Sequence, residues 1–140
     1  MEIAIIAHEI KRELMAQFCI AYYNILKKHT LCAAAVTGRY IADASGLRIE
    51  KILMGDYGGG EQQMASRISY NEIDCLLYFR DTADIHHDHD EDAMNILRLC
   101  DMHNIPVATN IATAEILICA IERGDLDWRN YVNPIYKKKG

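Results

Sequence analysis

The sequence predicts an α/β protein, a single domain built on a doubly wound parallel sheet of five strands. Three observations point there. A length of 140 residues suits one folded unit. A composition of 51% hydrophobic and 25% charged residues, with only 2 Pro, is that of a chain that buries a core. Finally, five apolar runs alternate with segments of helical period across short connections, which calls for parallel strands joined by helical crossovers.

The first run, Ile3–Ala7, is apolar throughout, the pattern of a strand covered on both faces. From Glu9 the apolar residues take helical spacing at Leu14, Phe18, Ala21 and Ile25, with Lys11, Arg12, Glu13, Lys27 and Lys28 on the other faces. Leu31–Val36 reads as the second strand, ending in a turn at Thr37-Gly38, and Ile41–Ser45 as a short helix stopped by Gly46. Leu47–Met54 alternates, as expected of a less deeply covered strand. Gly55–Gly60 is a glycine-rich loop leading into a helix at Gln62–Ser69. Asp74–Phe79 is the clearest buried strand, and Arg80–Asp92 reads as a polar loop crowded with Asp and His. A helix over Ala93–His103 follows. Ile105–Thr109 is a short strand whose proline sits near its start, where a missing N–H is tolerated. Ala112–Arg123 is a helix ended by Gly124, and the tail from Asp125 carries Trp128, Tyr131 and Tyr136.

The formal charge of −5 argues against a general nucleic-acid binder, which would present a basic face. No signal peptide and no run of about 18 apolar residues is present, so a cytoplasmic protein without a membrane segment is expected. Cys19, Cys32, Cys75, Cys100 and Cys119 are odd in number, scattered through apolar stretches and form no CxxC pair. They read as buried reduced thiols, neither zinc ligands nor disulfides.

In a parallel sheet, ligands bind where loops leave the carboxyl ends of the strands. His8-Glu9, Thr37-Gly38, the stretch from Gly55 to Glu61, Asp81 and the stretch from His86 to Asp90 all follow predicted strands. Glycines before a helix let the backbone approach an anion closely, with helix N–H groups aimed at it. A carboxylate at Glu61 would repel a bare phosphate, yet it suits removal of a proton from a substrate whose phosphate lies alongside. The plainer alternative is a surface turn with Glu61 as an ordinary helix-start charge. His8 at a strand end is placed to donate to a carbonyl, and Arg12 one turn on to hold a phosphate, unless both only decorate a solvated helix start. The run Asp84–Asp92 holds metal-ligand types at successive positions rather than at the spacing of a zinc helix, so no metal is assigned. It reads as a solvated acidic run, or as the source of one His and one Asp for a pocket opposite Glu61.

Several motifs occur in a telling order. They are Ile-Ala-His with an acid and a base behind it (Ile6 to Arg12), Thr37-Gly38, and Gly-Gly-acid-Gln-Gln (Gly59 to Gln63). Phe79-Arg80-Asp81, the His-Asp-x-Asp of His87 to Asp90, and Asn104-Ile105-Pro106-Val107-Ala108-Thr109-Asn110-Ile111-Ala112-Thr113-Ala114 complete the set. Over roughly residues 3–120 the chain resembles the methylglyoxal synthase family. That family eliminates phosphate from dihydroxyacetone phosphate to give methylglyoxal, uses no metal or organic cofactor, and forms hexamers.

The resemblance implies a small phosphorylated substrate, no cofactor, and a homo-oligomer, with the tail from about residue 125 available for its contacts. It also implies catalytic roles for Glu61, His87, Asp90 and Asp81, and substrate binding by His8, Arg12, Thr37, Gly38, Met54 and Gly55. Three departures stand out. Thr37-Gly38 runs directly into Arg39-Tyr40 where the family has a second Thr-Thr-Gly, the glycine loop carries one residue more, and Glu61 replaces an Asp. The same pocket on the same fold, with catalysis weakened or lost, would make the alternative: a binding module for a phosphorylated metabolite or nucleotide.

Overall fold

In the computed structural model, which describes residues 1–53, 59–83 and 87–137, five strands form one sheet. They are β1 (Glu2–Ala7), β2 (Thr30–Ala34), β3 (Lys51–Leu53), β4 (Cys75–Phe79) and β5 (Val107–Ala108). Every pairing is parallel and the order is β3-β2-β1-β4-β5. The connections therefore run outward in one direction from β1 and in the other from β4. That reversal between β1 and β4 is the place where a doubly wound sheet opens a crevice.

The helices are α1 (Arg12–Ala21), α2 (Tyr23–Leu26), α3 (Ala35–Ser45), α4 (Gly59–Ser69), α5 (His87–His103), α6 (Ile111–Arg123) and α7 (Pro134–Lys137). Strand alternation divides the core in two. Ile3, Ile5, Leu31, Ala33, Leu77 and Phe79 face α1, α3 and α6, packing on Met15, Phe18, Ile41 and Ile118. Ala4, Cys32, Leu76 and Tyr78 face α4 and α5, packing on Met64, Ile68, Ile96 and Cys100. Burial of each of the larger side chains among these contributes about 1.5–3 kcal/mol, which is why strands of apolar residues on both faces take the centre of the sheet.

Four expectations need correction. Thr37-Gly38 is not a turn; α3 begins at Ala35, directly after β2, and both residues lie in its first turn. A Cβ on Gly38 would sit 3.4 Å from Ile49 Cγ2 and 3.6 Å from Ala33 Cβ, ordinary contact distances, so neither a chain reversal nor lack of space requires the glycine. The polar loop after β4 is shorter than the sequence suggests, because α5 already starts at His87, among the acidic residues that a helix N-terminus favours. α4 likewise starts at Gly59, two residues before Glu61. Finally, Cys119 is exposed on α6, while the other four cysteines are buried. The stops are as expected: Gly46 and Gly124 end α3 and α6 in the left-handed conformation, at φ 79° and 84°.

The tail folds back on its own chain. Arg129 of its 3-10 turn (Asp127–Tyr131), Tyr136 of α7 and Asn133 between the two elements all reach Asp74, just ahead of β4.

Candidate active site

His8 is the first residue beyond β1, and Asp81 lies two residues beyond its neighbour β4. Two hydrogen bonds tie His8 to the end of β4, one of them from Asp81. The His8 N–H donates to the Phe79 carbonyl at 3.0 Å, and the Asp81 N–H donates to His8 Nδ1 at 2.9 Å. Because Nδ1 accepts, the hydrogen of the neutral ring sits on Nε2. Nε2 lies 3.7 Å from Glu61 Oε1, near but beyond hydrogen-bond distance. The carboxylate side chain of Asp81 closes a local turn instead, accepting the Ala83 N–H at 3.0 Å.

Glu61 stands in the first turn of α4, and its side chain is only 11% exposed. Its other oxygen, Oε2, accepts a hydrogen bond from the Tyr78 hydroxyl at 3.1 Å. Tyr78 is fully buried on β4, and its ring meets the His8 ring edge-on, with centroids 5.8 Å apart. Burial, reinforced by the neighbouring Glu61 carboxylate, pushes the Tyr78 phenol well above its ordinary range, so it stays a donor. Pattern reading missed Tyr78. Within Cys75–Phe79 it counts as one more apolar residue of a buried strand, and its partner is 17 positions away. The available signal was chemical: a phenol near the carboxyl end of a wholly buried strand needs an acceptor.

Arg12 and Thr37 form the adjoining wall. Arg12 Nε donates to Thr37 Oγ1 at 3.4 Å, and that hydroxyl donates to the Ala7 carbonyl at 3.5 Å, one residue before His8. Thr37 is buried, and no side chain caps the first turn of α3, where Thr37 and Gly38 lie. A guanidinium beside the amino end of a helix is a cradle for an anionic group. Arg39, next along α3, is exposed.

The structure therefore gathers His8, Glu61 and Asp81 at the β1/β4 crevice, with Arg12, Thr37 and Gly38 beside them at the end of β2. Met54 and Gly55 lie outside the described residues. His87 and Asp90 fall in the first turn of α5, and their side chains lie outside the described residues too. Among the described residues, no three His, Cys, Asp or Glu side chains are grouped to hold a metal, and no helix is long and apolar enough to cross a membrane.

Comparison with known proteins gives a consistent picture. The family described as MGS-like domain matches residues 15–109. The chain is 54% identical over 138 residues to a methylglyoxal synthase of Caldicellulosiruptor saccharolyticus, covering 99% of this chain and 96% of the relative. It is 44% identical over 140 residues to a methylglyoxal synthase of Oceanobacillus iheyensis, covering 100% and 99%. Among solved structures, a methylglyoxal synthase from Elizabethkingia anophelis superimposes with a TM-score of 0.75 at 32% identity, covering 84% of this chain and 76% of that one.

Proposed function

The chain belongs to the MGS-like domain family, and on that premise we propose that it is a carbon–oxygen lyase converting dihydroxyacetone phosphate to methylglyoxal and inorganic phosphate. The observation that carries this reading is the convergence of Glu61 with the Nε2 of His8 at the β1/β4 crevice, beside the Arg12–Thr37 pair.

In the proposed reaction, Glu61 takes a proton from the hydroxymethyl carbon next to the carbonyl. The electron pair of that C–H bond forms an enediolate. Its developing oxyanion is met by N–H donors, the Nε2–H of His8 and the ring of His87, where charge stabilisation counts most. The terminal hydroxyl of the enediolate passes its proton to the neighbouring oxyanion and becomes the aldehyde. Its electrons shift along the carbons to break the carbon–oxygen bond to phosphate, which leaves with that bond's electrons and takes up the proton held by Glu61. The remaining enol tautomerises to methylglyoxal. Arg12, Thr37 and the first-turn amides of α3 ahead of Gly38, which have no partner within the helix, hold the phosphate with Gly55 and Met54 of the glycine loop. Asp81 holds His8 in register through its backbone, and Asp90 stays in the set as the acid three positions after His87. Glu61 suits the role of the family's Asp, since a glutamate serves as the base in enzymes that isomerise this same substrate.

The test is direct. Metal-stripped protein should release inorganic phosphate and methylglyoxal from dihydroxyacetone phosphate. No release above buffer at high protein concentration would leave the pocket as a binding module for a phosphorylated metabolite.

The reading extends to a single-domain, cytoplasmic homo-oligomer, a hexamer by resemblance. Trp128 and Tyr131 remain 44% and 79% exposed beside the anchored part of the tail, and exposed aromatic side chains of this size suit a protein–protein contact. Light scattering at micromolar concentration should give a multiple of the 15.9 kDa chain mass; a monomer mass would defeat this part.

A further inference from the structure

We infer that Tyr78 is a positioning residue for Glu61: its buried hydroxyl anchors one carboxylate oxygen and so sets the direction in which the other meets the substrate. The inference rests on the reading of Glu61 as the base.

Four observations carry it. Tyr78 has no exposed surface, and its ring is pinned between strand neighbours and the helices α4 and α5, so the hydroxyl has a fixed origin. That hydroxyl reaches Glu61 Oε2 at 3.1 Å, while Oε1 lies 3.7 Å from His8 Nε2. The hydrogen bond holds Oε2, and the imidazole, beyond hydrogen-bond reach at 3.7 Å, stands beside Oε1, so the anchored oxygen is what sets the direction of the other. Among the described residues, the charged or titratable groups around the phenol are Glu61, Asp92 of α5, His8 and Arg80, whose guanidinium lies 6.0 Å from the centre of the Tyr78 ring. Finally, the phenol remains protonated, so it serves Glu61 as a donor and does not compete with it as a base.

The geometry also pairs the two residues by length. An acid shorter by one C–C bond, about 1.5 Å, would retract from a hydroxyl now at 3.1 Å and lose the bond. Glu61 and Tyr78 are thus a matched pair, the longer acid reaching the deeper donor. If Tyr78 merely filled the core, a phenylalanine would serve equally well.

The experiment compares wild type, Tyr78→Phe, Glu61→Asp and the double variant. Tyr78→Phe keeps the ring and removes one oxygen. It should lower kcat about tenfold or more, the range for a lost hydrogen bond to a charged group, with KM within about twofold. In Glu61→Asp the hydroxyl is already out of reach, so adding Tyr78→Phe should cost little more, and the two losses should not add. Infrared difference spectra supply a readout independent of turnover. The carboxylate band that disappears in Glu61→Gln should shift in Tyr78→Phe, and should shift the opposite way with 3-fluorotyrosine at position 78, a stronger donor of nearly the same shape. Unchanged kcat, additive losses or an unmoved band each overturn the inference while the base assignment stands. A wild-type protein that turns over no substrate would instead bring down the base assignment, and this inference with it.

Discussion

Glu61 shows how far a single side chain can be understood from its neighbours. It lies in the first turn of α4, where a negative charge is favoured whatever its purpose, so position alone does not separate a base from a helix-start charge. The surroundings bear on the choice. A solvated helix-start glutamate has no need of a buried phenol on one oxygen and an imidazole beside the other. Glu61→Gln should therefore cut turnover a hundredfold or more, since general-base catalysis is worth roughly 10²–10⁴-fold. Phosphate or an enediolate analogue should still bind in that variant, because Arg12 and backbone amides hold it. Equal turnover in wild type and Glu61→Gln would end the assignment, and an ordinary helix-start charge would show only about 0.3–1 kcal/mol of lost stability. As candidates, Glu61, His8 and Thr37 were legible in the sequence because each lies in a segment that follows a strand, and Arg12 because it lies one turn beyond His8. Tyr78 was hidden because periodicity records only whether a residue is apolar enough for a core, not which atom at its tip wants a partner.

At the scale of elements, the ends of helices were easier to read than their beginnings. Gly46 and Gly124 stop α3 and α6 for a local reason, a left-handed φ that only glycine adopts cheaply. The start of α3 carries no such mark. Ala34 caps it with no side-chain bond, and the helix begins at Ala35 because β2 ends there and α3 packs against α1. Tertiary contact overrode the Thr-Gly turn signal. The start of α5 was obscured by its own acidic and histidine residues, which suit a loop and a helix N-terminus alike. Local stops can be tested by alanine. At Gly46 nothing lies within 4 Å of a new Cβ, so Gly46→Ala should cost only the backbone strain, about 1–2 kcal/mol. At Gly124 the Cβ would come 2.9 Å from Asp127 Oδ2, but that atom ends an exposed side chain that can swing away. Gly124→Ala should thus cost nearly the same, within about 0.5 kcal/mol in paired denaturant titrations. A loss at Gly124 several kcal/mol larger would show that Asp127 is held in place.

Across the whole molecule, the sheet keeps its two ends apart in purpose. The proposed chemistry gathers at the carboxyl ends of β1 and β4. Asp74 lies at the other end, about 17 Å down β4 from the crevice at roughly 3.3 Å per residue. There Asp74 is completely buried and accepts from Arg129 at 3.1 Å, Asn133 at 3.0 Å, Tyr136 at 3.1 Å and the Glu2 N–H at 2.8 Å. Arg129, itself fully buried, spends its remaining donors on Asn71, the Ile73 carbonyl and the His103 carbonyl. The tail is thereby tied to the first strand, the fourth strand and the end of α5 at once. The sequence drew attention to the tail through its aromatic residues, while the polar residues anchor it. Nothing in a local pattern announces that an arginine 55 positions away will neutralise a buried aspartate. Removing one partner of a buried ion pair leaves the other charged and unpaired, at a cost of about 3–5 kcal/mol. Arg129→Met should therefore destabilise the fold by about that amount in denaturant titration, while protein that remains folded keeps its wild-type kcat. Pairing it with Asp74→Asn should restore part of the loss, because the stranded charge is gone. A single variant as stable as wild type would mean that water reaches Asp74. A fall in kcat as large as that of Glu61→Gln would mean that the two ends of the sheet are coupled.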